Sequence, residues 1–144
     1  MDRLGAKQMY VFYKKQYPDS DVSYTLFKYT ISEFFKKAIK QVLNGKEFYL
    51  GHKLGSIRIR KVARNFDKPT INWFETNKLK AKGINKHVFF TDEFWYRFSW
   101  NKRSAALKNK SVYKFSATEG ANGNKKQLVR KLREDDFAHI NFKE

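Results

Sequence analysis

The chain has no cysteine among its 144 residues. Disulfides and thiolate metal sites are therefore excluded, and the residue usage fits a reducing compartment. No run approaches the roughly 18 apolar residues that a membrane-spanning helix needs. The opening stretch, MDRLGAKQMY, lacks the apolar core of a secretory signal, so no export is expected. Acidic residues are scarce. Fourteen Asp and Glu face 31 Lys and Arg, for a net charge of +17. Such an excess raises self-repulsion in the folded state, and an anionic partner commonly relieves it. Nucleic acid is the first partner class this suggests, and an acidic protein surface is the second.

What is present argues for a folded body. Hydrophobic residues make up 41% and aromatics 17%, enough to bury a core despite the charge. The length suits one domain over residues 1–144. Residues 1–20 read as a basic, Tyr-rich extension in which Tyr10, Phe12 and Tyr13 can dock on a core or a partner, and Pro18 marks a turn. A helix is expected from Asp21–Ser23, with Phe27, Ile31, Phe34, Phe35, Ala38, Ile39, Val42 and Leu43 on one face and Asn44-Gly45 as its stop. A short extended piece at 46–50 and a turn at 51–55 follow. Residues 56–62, SIRIRKV, alternate apolar with basic, as a half-buried strand with a cationic outer face does.

Residues 65–110 read as an insertion: extended at 70–74, a basic loop over 77–85, and a strand at 94–100 carrying Phe94, Trp95, Tyr96 and Trp100. Residues 111–118, SVYKFSAT, form a further strand candidate. A short helix is expected over 125–134, with Leu128, Val129 and Leu132 inward. An extended tail should then dock through Phe137, Ile140 and Phe142.

Catalysis finds little support. His52, His87 and His139 lack metal-ligand spacing, and the adjacent carboxylates Asp92-Glu93 and Asp135-Asp136 diverge on either a strand or a helix. The EGANGN loop at 119–124 lacks phosphate-loop spacing. No enzyme activity, cofactor, metal, small-molecule substrate or membrane partner is expected. The basic groups are stronger candidates. Arg58 and Arg60 share a strand face, Lys61 and Arg64 continue the stripe, and Lys78, Lys80, Lys82 and Lys86 add charge beyond it. This surface suits phosphates read without sequence, or an acidic partner. Among the aromatics, Tyr10, Phe12, Tyr13, Trp73, Phe94, Trp95, Tyr96 and Trp100 are candidates for a protein interface, and Trp73, Trp95, Tyr96 and Trp100 also for base stacking.

Residues 31–64, ISEFFKKAIKQVLNGKEFYLGHKLGSIRIRKVAR, resemble the long helix and hairpin of the HU and integration-host-factor family. The turns Asn44-Gly45-Lys46 and Leu54-Gly55-Ser56 carry the likeness, and Arg58, Arg60, Lys61 and Arg64 lead outward where the family's DNA-gripping arm begins. The resemblance implies an α+β fold: an HU-like helix and antiparallel hairpin over 21–64, an aromatic β-rich insertion at 65–110, and a strand, short helix and tail at 111–144. The chain departs from the family after Arg64-Asn65, where Phe66 stands in place of the wedging proline and Pro69 comes only later. No first helix like the family's is expected either. The segments FYKKQYPDSDVSY, LGSIRIRK, IRKVARNFDKPTINW and FAHINFKE are similar to integration-host-factor-like proteins encoded among the virion structural genes of crAss-like tailed bacteriophages. That likeness implies a virion protein of the neck or tail, a ring component of the head–tail connector assembled in the host cytoplasm. Its implied partners are further copies, other portal, neck or tail subunits, and double-stranded DNA. An architectural double-stranded DNA binder is the alternative.

Overall fold

The computed structural model describes residues 5–51 and 53–144; residues 1–4 and His52, of the turn expected at 51–55, lie outside the described residues. The Tyr-rich lead-in is a helix, α1 (Ala6–Gln16), where no first helix was expected. Tyr10 and Tyr13 lie three residues apart, hence on one side of a helix. Their rings meet Phe27 at centroid distances of 5.3 and 5.1 Å. The Tyr10 hydroxyl donates to the Val22 carbonyl at 2.8 Å, and the Tyr13 and Ser20 hydroxyls share a bond of 2.7 Å. This cluster fixes α1 against α2 (Tyr24–Leu43).

The start and end of α2 follow the expectation. Ser23 caps it by accepting from the Leu26 amide at 3.2 Å. Gly45, at φ 83°, ends it, with Gly45 N–H on the Val42 carbonyl and Lys46 N–H on that of Gln41. A side chain at Gly45 would also collide with Asn141, whose Cβ lies 2.3 Å from where a Cβ would stand. The helix end is thus tied to the C-terminal segment as well as to the sheet.

Three antiparallel strands follow, β1 (Phe48–Tyr49), β2 (Ser56–Ala63) and β3 (Phe94–Asn101), in that order across the sheet. All eight residues of β2 pair with β3, from Ser56 opposite Asn101 to Ala63 opposite Phe94. The aromatic run at 94–101 is therefore an edge strand of the central sheet. Between β2 and β3 lies α3 (Trp73–Ala81), where an extended piece and a loop were expected. Asn72 caps α3 from the Glu75 amide at 3.2 Å. Trp73, Phe74 and Leu79 fall on no single stripe, so the helical period was invisible. Residues 70–72 and 88–90 close the excursion through Asn72 N–H to Val88 O (2.7 Å) and Phe90 N–H to Thr70 O (3.1 Å).

The chain then runs irregularly to α4 (Asn124–Glu134) and a short 3-10 helix, Ala138–Asn141. The strand expected at 111–118 does not form. Val129, expected inside, is exposed. The tail is not extended over its length, and of its three expected anchors only Phe142 is buried. Phe137 and Ile140 are 72% and 65% exposed. A 3-10 turn stacks positions i and i+3, which puts both on the same outer side. Beyond it Lys143 bridges Arg60 in parallel, and Lys61 N–H donates to its carbonyl at 2.9 Å.

The resulting fold is mixed α+β, with four helices and a three-stranded antiparallel sheet among the described residues. Val42, Leu43, Ile59, Leu128 and Phe142 form the core, flanked by Ile39, Phe48, Ile57, Tyr96, Phe98 and Leu132. All lie on the one sheet face that α2, α4 and the tail cover.

Glu47 ties the three strands together at one end. Its carboxylate accepts from the hydroxyl of buried Ser56 and from Asn101 Nδ2 at 3.3 Å. The Ser56 bond, ahead of the smaller contributions of Asn101, Arg58 and Lys143, holds its pKa below the ordinary 4.5 against the opposing effect of burial. A depressed carboxyl stabilises the fold above its unfolded-state value, and that contribution is lost as pH falls through the folded-state value. Glu47→Gln should lower stability by about 1–3 kcal/mol at neutral pH, as expected for a bond to a charged group. Its thermal-unfolding curve should converge with that of the native chain as pH falls below the ordinary carboxyl value of 4.5 and on through the lowered one. Curves that stay parallel across that range would remove Glu47 from this role.

Candidate functional site

Strand pleating sends alternate side chains to opposite faces, so the register between β2 and β3 decides which groups share a surface. Ile57 and Ile59 face the core opposite Trp100 and Phe98. Arg58, Arg60 and Val62 consequently face the other way, opposite Ser99, Arg97 and Trp95. Arg60 and Arg97 are direct cross-strand neighbours, and both are exposed. Like charges placed directly opposite oppose strand pairing. Among the described residues no carboxylate lies within ion-pair distance of Arg58, Arg60, Arg64 or Arg97; the four ion pairs there are on α2, α3, α4 and the loop before α4.

The arginines are held by softer contacts. Arg97 lies over the Trp95 ring at 5.1 Å, and Arg64 over Phe90 at 4.1 Å. Arg58 donates to the main-chain oxygen of Glu144 at 3.0 Å. The Nε atoms of Arg58 and Arg64 are buried without an acceptor. Glu47 stands at the closed end of this face, already engaged by Ser56 and Asn101. The face thus opens from a satisfied acidic end to an arginine cluster around one tryptophan, a surface that can neutralise successive anionic groups and stack a flat ring.

The expected basic stripe does not form as one surface. Lys61 occupies an odd position of an unbulged strand and so sits on the core-side face, its Nζ 3.8 Å from the Phe94 ring centroid. Lys78 and Lys80 belong to α3 rather than a loop. Lys78 pairs with Glu75 at 3.1 Å, and Lys80 lies 5.9 Å from the Trp73 ring. Lys82 caps α3, and Lys86 is exposed in the segment that follows. Arg97 joins the site unannounced by sequence, because only the register places it beside Arg60.

The aromatic candidates also divide. Tyr10 and Tyr13 bind α1 to α2, Tyr96 packs on Phe142 at 5.4 Å, and Trp100 Nε1–H donates to the Leu54 carbonyl at 2.6 Å. These serve the fold. Burial of Tyr96 also raises its phenol pKa. Phe94 is half-buried under Lys61. Phe12, Trp73 and Trp95 remain exposed. His87 sits against Trp73 and His139 near Tyr96, and no metal-holding cluster occurs among the described residues. No helix there is long and apolar enough to cross a membrane.

Compared with known proteins, the chain matches no family model, no curated protein and no solved structure.

The arginine face sets stability against binding, and the two can be read apart. Arg97→Glu replaces a cross-strand repulsion with an attraction and should stabilise the isolated protein by about 0.2–1 kcal/mol. The same substitution should lower the salt concentration at which the protein leaves a heparin column. Lys61→Glu, on the opposite face, should shift that elution less. Equal shifts for the two variants would mean that overall charge, not this face, governs retention.

Proposed function

We propose that the protein is a structural virion subunit of a tailed bacteriophage, assembling as a ring component of the head–tail connector on an HU/integration-host-factor-like body. The observation that carries this reading is the apolar surface left on the helix pair. The stripe of α2 is buried at Ala38, Val42 and Leu43, yet Phe34 and Phe35, one turn earlier, are 53% and 48% exposed. Leu26 and Tyr29 on α2, with Val11 and Phe12 on α1, add to the uncovered apolar area. A shallow groove of about 370 Å³ between α2 and α4 has Phe35 and Ile39 in its lining. Exposed apolar patches of this kind mark protein–protein contact. The resemblance to virion-encoded integration-host-factor-like proteins supplies the setting, and the order of elements supports it. A long helix and an antiparallel β1–β2 hairpin fall within the resembling segment 31–64, and α3 lies between β2 and β3.

The alternative reading, an architectural double-stranded DNA binder, is favoured by the cluster of Arg58, Arg60 and Arg97, none of which makes a side-chain ion pair among the described residues. Its weak point is the arm. The segment between β2 and β3 holds a capped helix instead of a mobile ribbon, and Phe66, with Pro69 farther on, stands where a wedge is required.

Titration against a duplex of about 30 base pairs, straight and pre-kinked, across a salt series separates the two. The structural reading expects weak binding that disappears with salt and ignores duplex shape. Submicromolar binding at physiological salt with a clear preference for kinked DNA would overturn it in favour of the architectural one.

A further inference from the structure

The edge strand β3 has one free side. It pairs with β2 along its length, and among the described residues none of its backbone groups bonds beyond that ladder. Its sequence, FWYRFSWN, has no proline, its pairing has no bulge, and none of its residues is buried. Unprotected edges of this length are templates for another strand.

The same chain carries a strand without a sheet. Residues 111–118, SVYKFSAT, have the composition and alternation of a strand, yet the backbone N–H groups of Tyr113 through Ala117 donate to nothing among the described residues. Asn109, at φ 51°, turns the chain into this segment, and Val112, Tyr113 and Phe115 are exposed. It is as long as β3, and its end is held, where Ala117 is buried and Thr118 accepts from the Asn124 and Lys125 amides at the start of α4, so the strand must part from α4 there to add in full.

Flanking charges choose the direction. Asp92 and Glu93 precede β3, and Lys102 and Arg103 follow it; Lys108 and Lys110 precede the segment, and Glu119 follows it. Parallel in-register pairing brings Lys110 beside Glu93 and Glu119 beside Lys102. Antiparallel pairing would set Glu119 against Glu93 and Lys110 against Lys102. The segment cannot run parallel to its own β3, because residues 102–110 are fewer than the dozen or so that a parallel crossover needs. The strand must therefore come from elsewhere. Before exchange these charges hold the segment within its own chain: Lys102 Nζ donates to the Lys110 and Tyr113 carbonyls at 2.5 and 2.7 Å, Lys110 Nζ to the Arg103 carbonyl at 3.2 Å, and Glu119 pairs with exposed Lys125.

We propose that segment 111–118 of one copy adds as a parallel strand to the free edge of β3 in a second copy. Donor and acceptor are unlike surfaces, so the contact is head-to-tail, and repetition closes into a ring or runs on as a filament. The proposal deepens the assembly reading and rests on it.

The absence of native cysteine makes the test direct. Two proteins with one cysteine each, Glu93→Cys and Lys110→Cys, are mixed under mild oxidation and run on a non-reducing gel. Neighbouring strand positions lie within disulfide reach, so a disulfide-linked heterodimer should form at least tenfold above that from Glu93→Cys mixed with Glu119→Cys. Phe115→Pro, placed in the Lys110→Cys chain, removes an N–H from the donor strand and should abolish the cross-link without moving the unfolding temperature. No heterodimer, equal yield from both mixtures, or cross-linking that survives Phe115→Pro would overturn the proposal. Sedimentation of the native chain, run alongside, separates the failures. A closed oligomer without the cross-link removes only the edge contact, whereas a monomer removes the assembly reading as well.

Discussion

The pairing of β2 with β3 in one unbroken register is the constraint on which the other features depend. Because no bulge interrupts it, parity alone assigns every side chain of both strands to a face. Ile57, Ile59, Tyr96 and Phe98 are sent to α2, α4 and the C-terminal segment, and they make the core with Val42, Leu128 and Phe142. Arg58, Arg60, Arg97 and Trp95 are sent to the other side in the same stroke. A shift of one residue would bury the arginines and expose the isoleucines. The cost of that exchange, several apolar side chains at about 1.5–3 kcal/mol each, fixes the register far more firmly than the Arg60–Arg97 repulsion can loosen it.

Charge is distributed to match. With a net +17, carboxylates are too few to answer every cation. Those present at Glu33, Glu75, Glu119 and Asp135 serve exposed or half-buried lysines within or beside helices, where such pairs contribute little. Glu47 is the exception, spent on Ser56 and Asn101 at the point where all three strands meet. The arginines of the sheet are left with rings and main-chain oxygens. An anionic neighbour, a nucleic-acid backbone or an acidic protein, would relieve a repulsion that the fold itself leaves in place.

Legibility in the sequence followed how local each signal is. The span of α2 was readable because Ser23, a periodic stripe and Gly45 all speak within one segment, and β2 was readable because SIRIRKV alternates cleanly. The α1 helix was missed because its apolar residues, Met9, Tyr10, Val11, Phe12 and Tyr13, run consecutively and show no helical spacing. The α3 helix has no stripe at all; only Asn72 and Gly83 bracket it. Segment 111–118 misled in the opposite way, since propensity marks a strand but only a partner in space makes one. The arginine face was half visible. Arg58 and Arg60 followed from parity within β2, but replacing Lys61 with Arg97 required the register between strands far apart in sequence.

On the proposed reading the molecule meets other protein subunits through its apolar helix faces and a sheet left open at its edge. Sedimentation velocity of the full chain over a wide concentration range, at about 0.15 M salt so that long-range repulsion is screened, tests that claim most directly. A ring component should sediment as a discrete assembly larger than a dimer whose mass stops growing with concentration, as a closed ring requires. A single monomeric species across the whole range would contradict that reading.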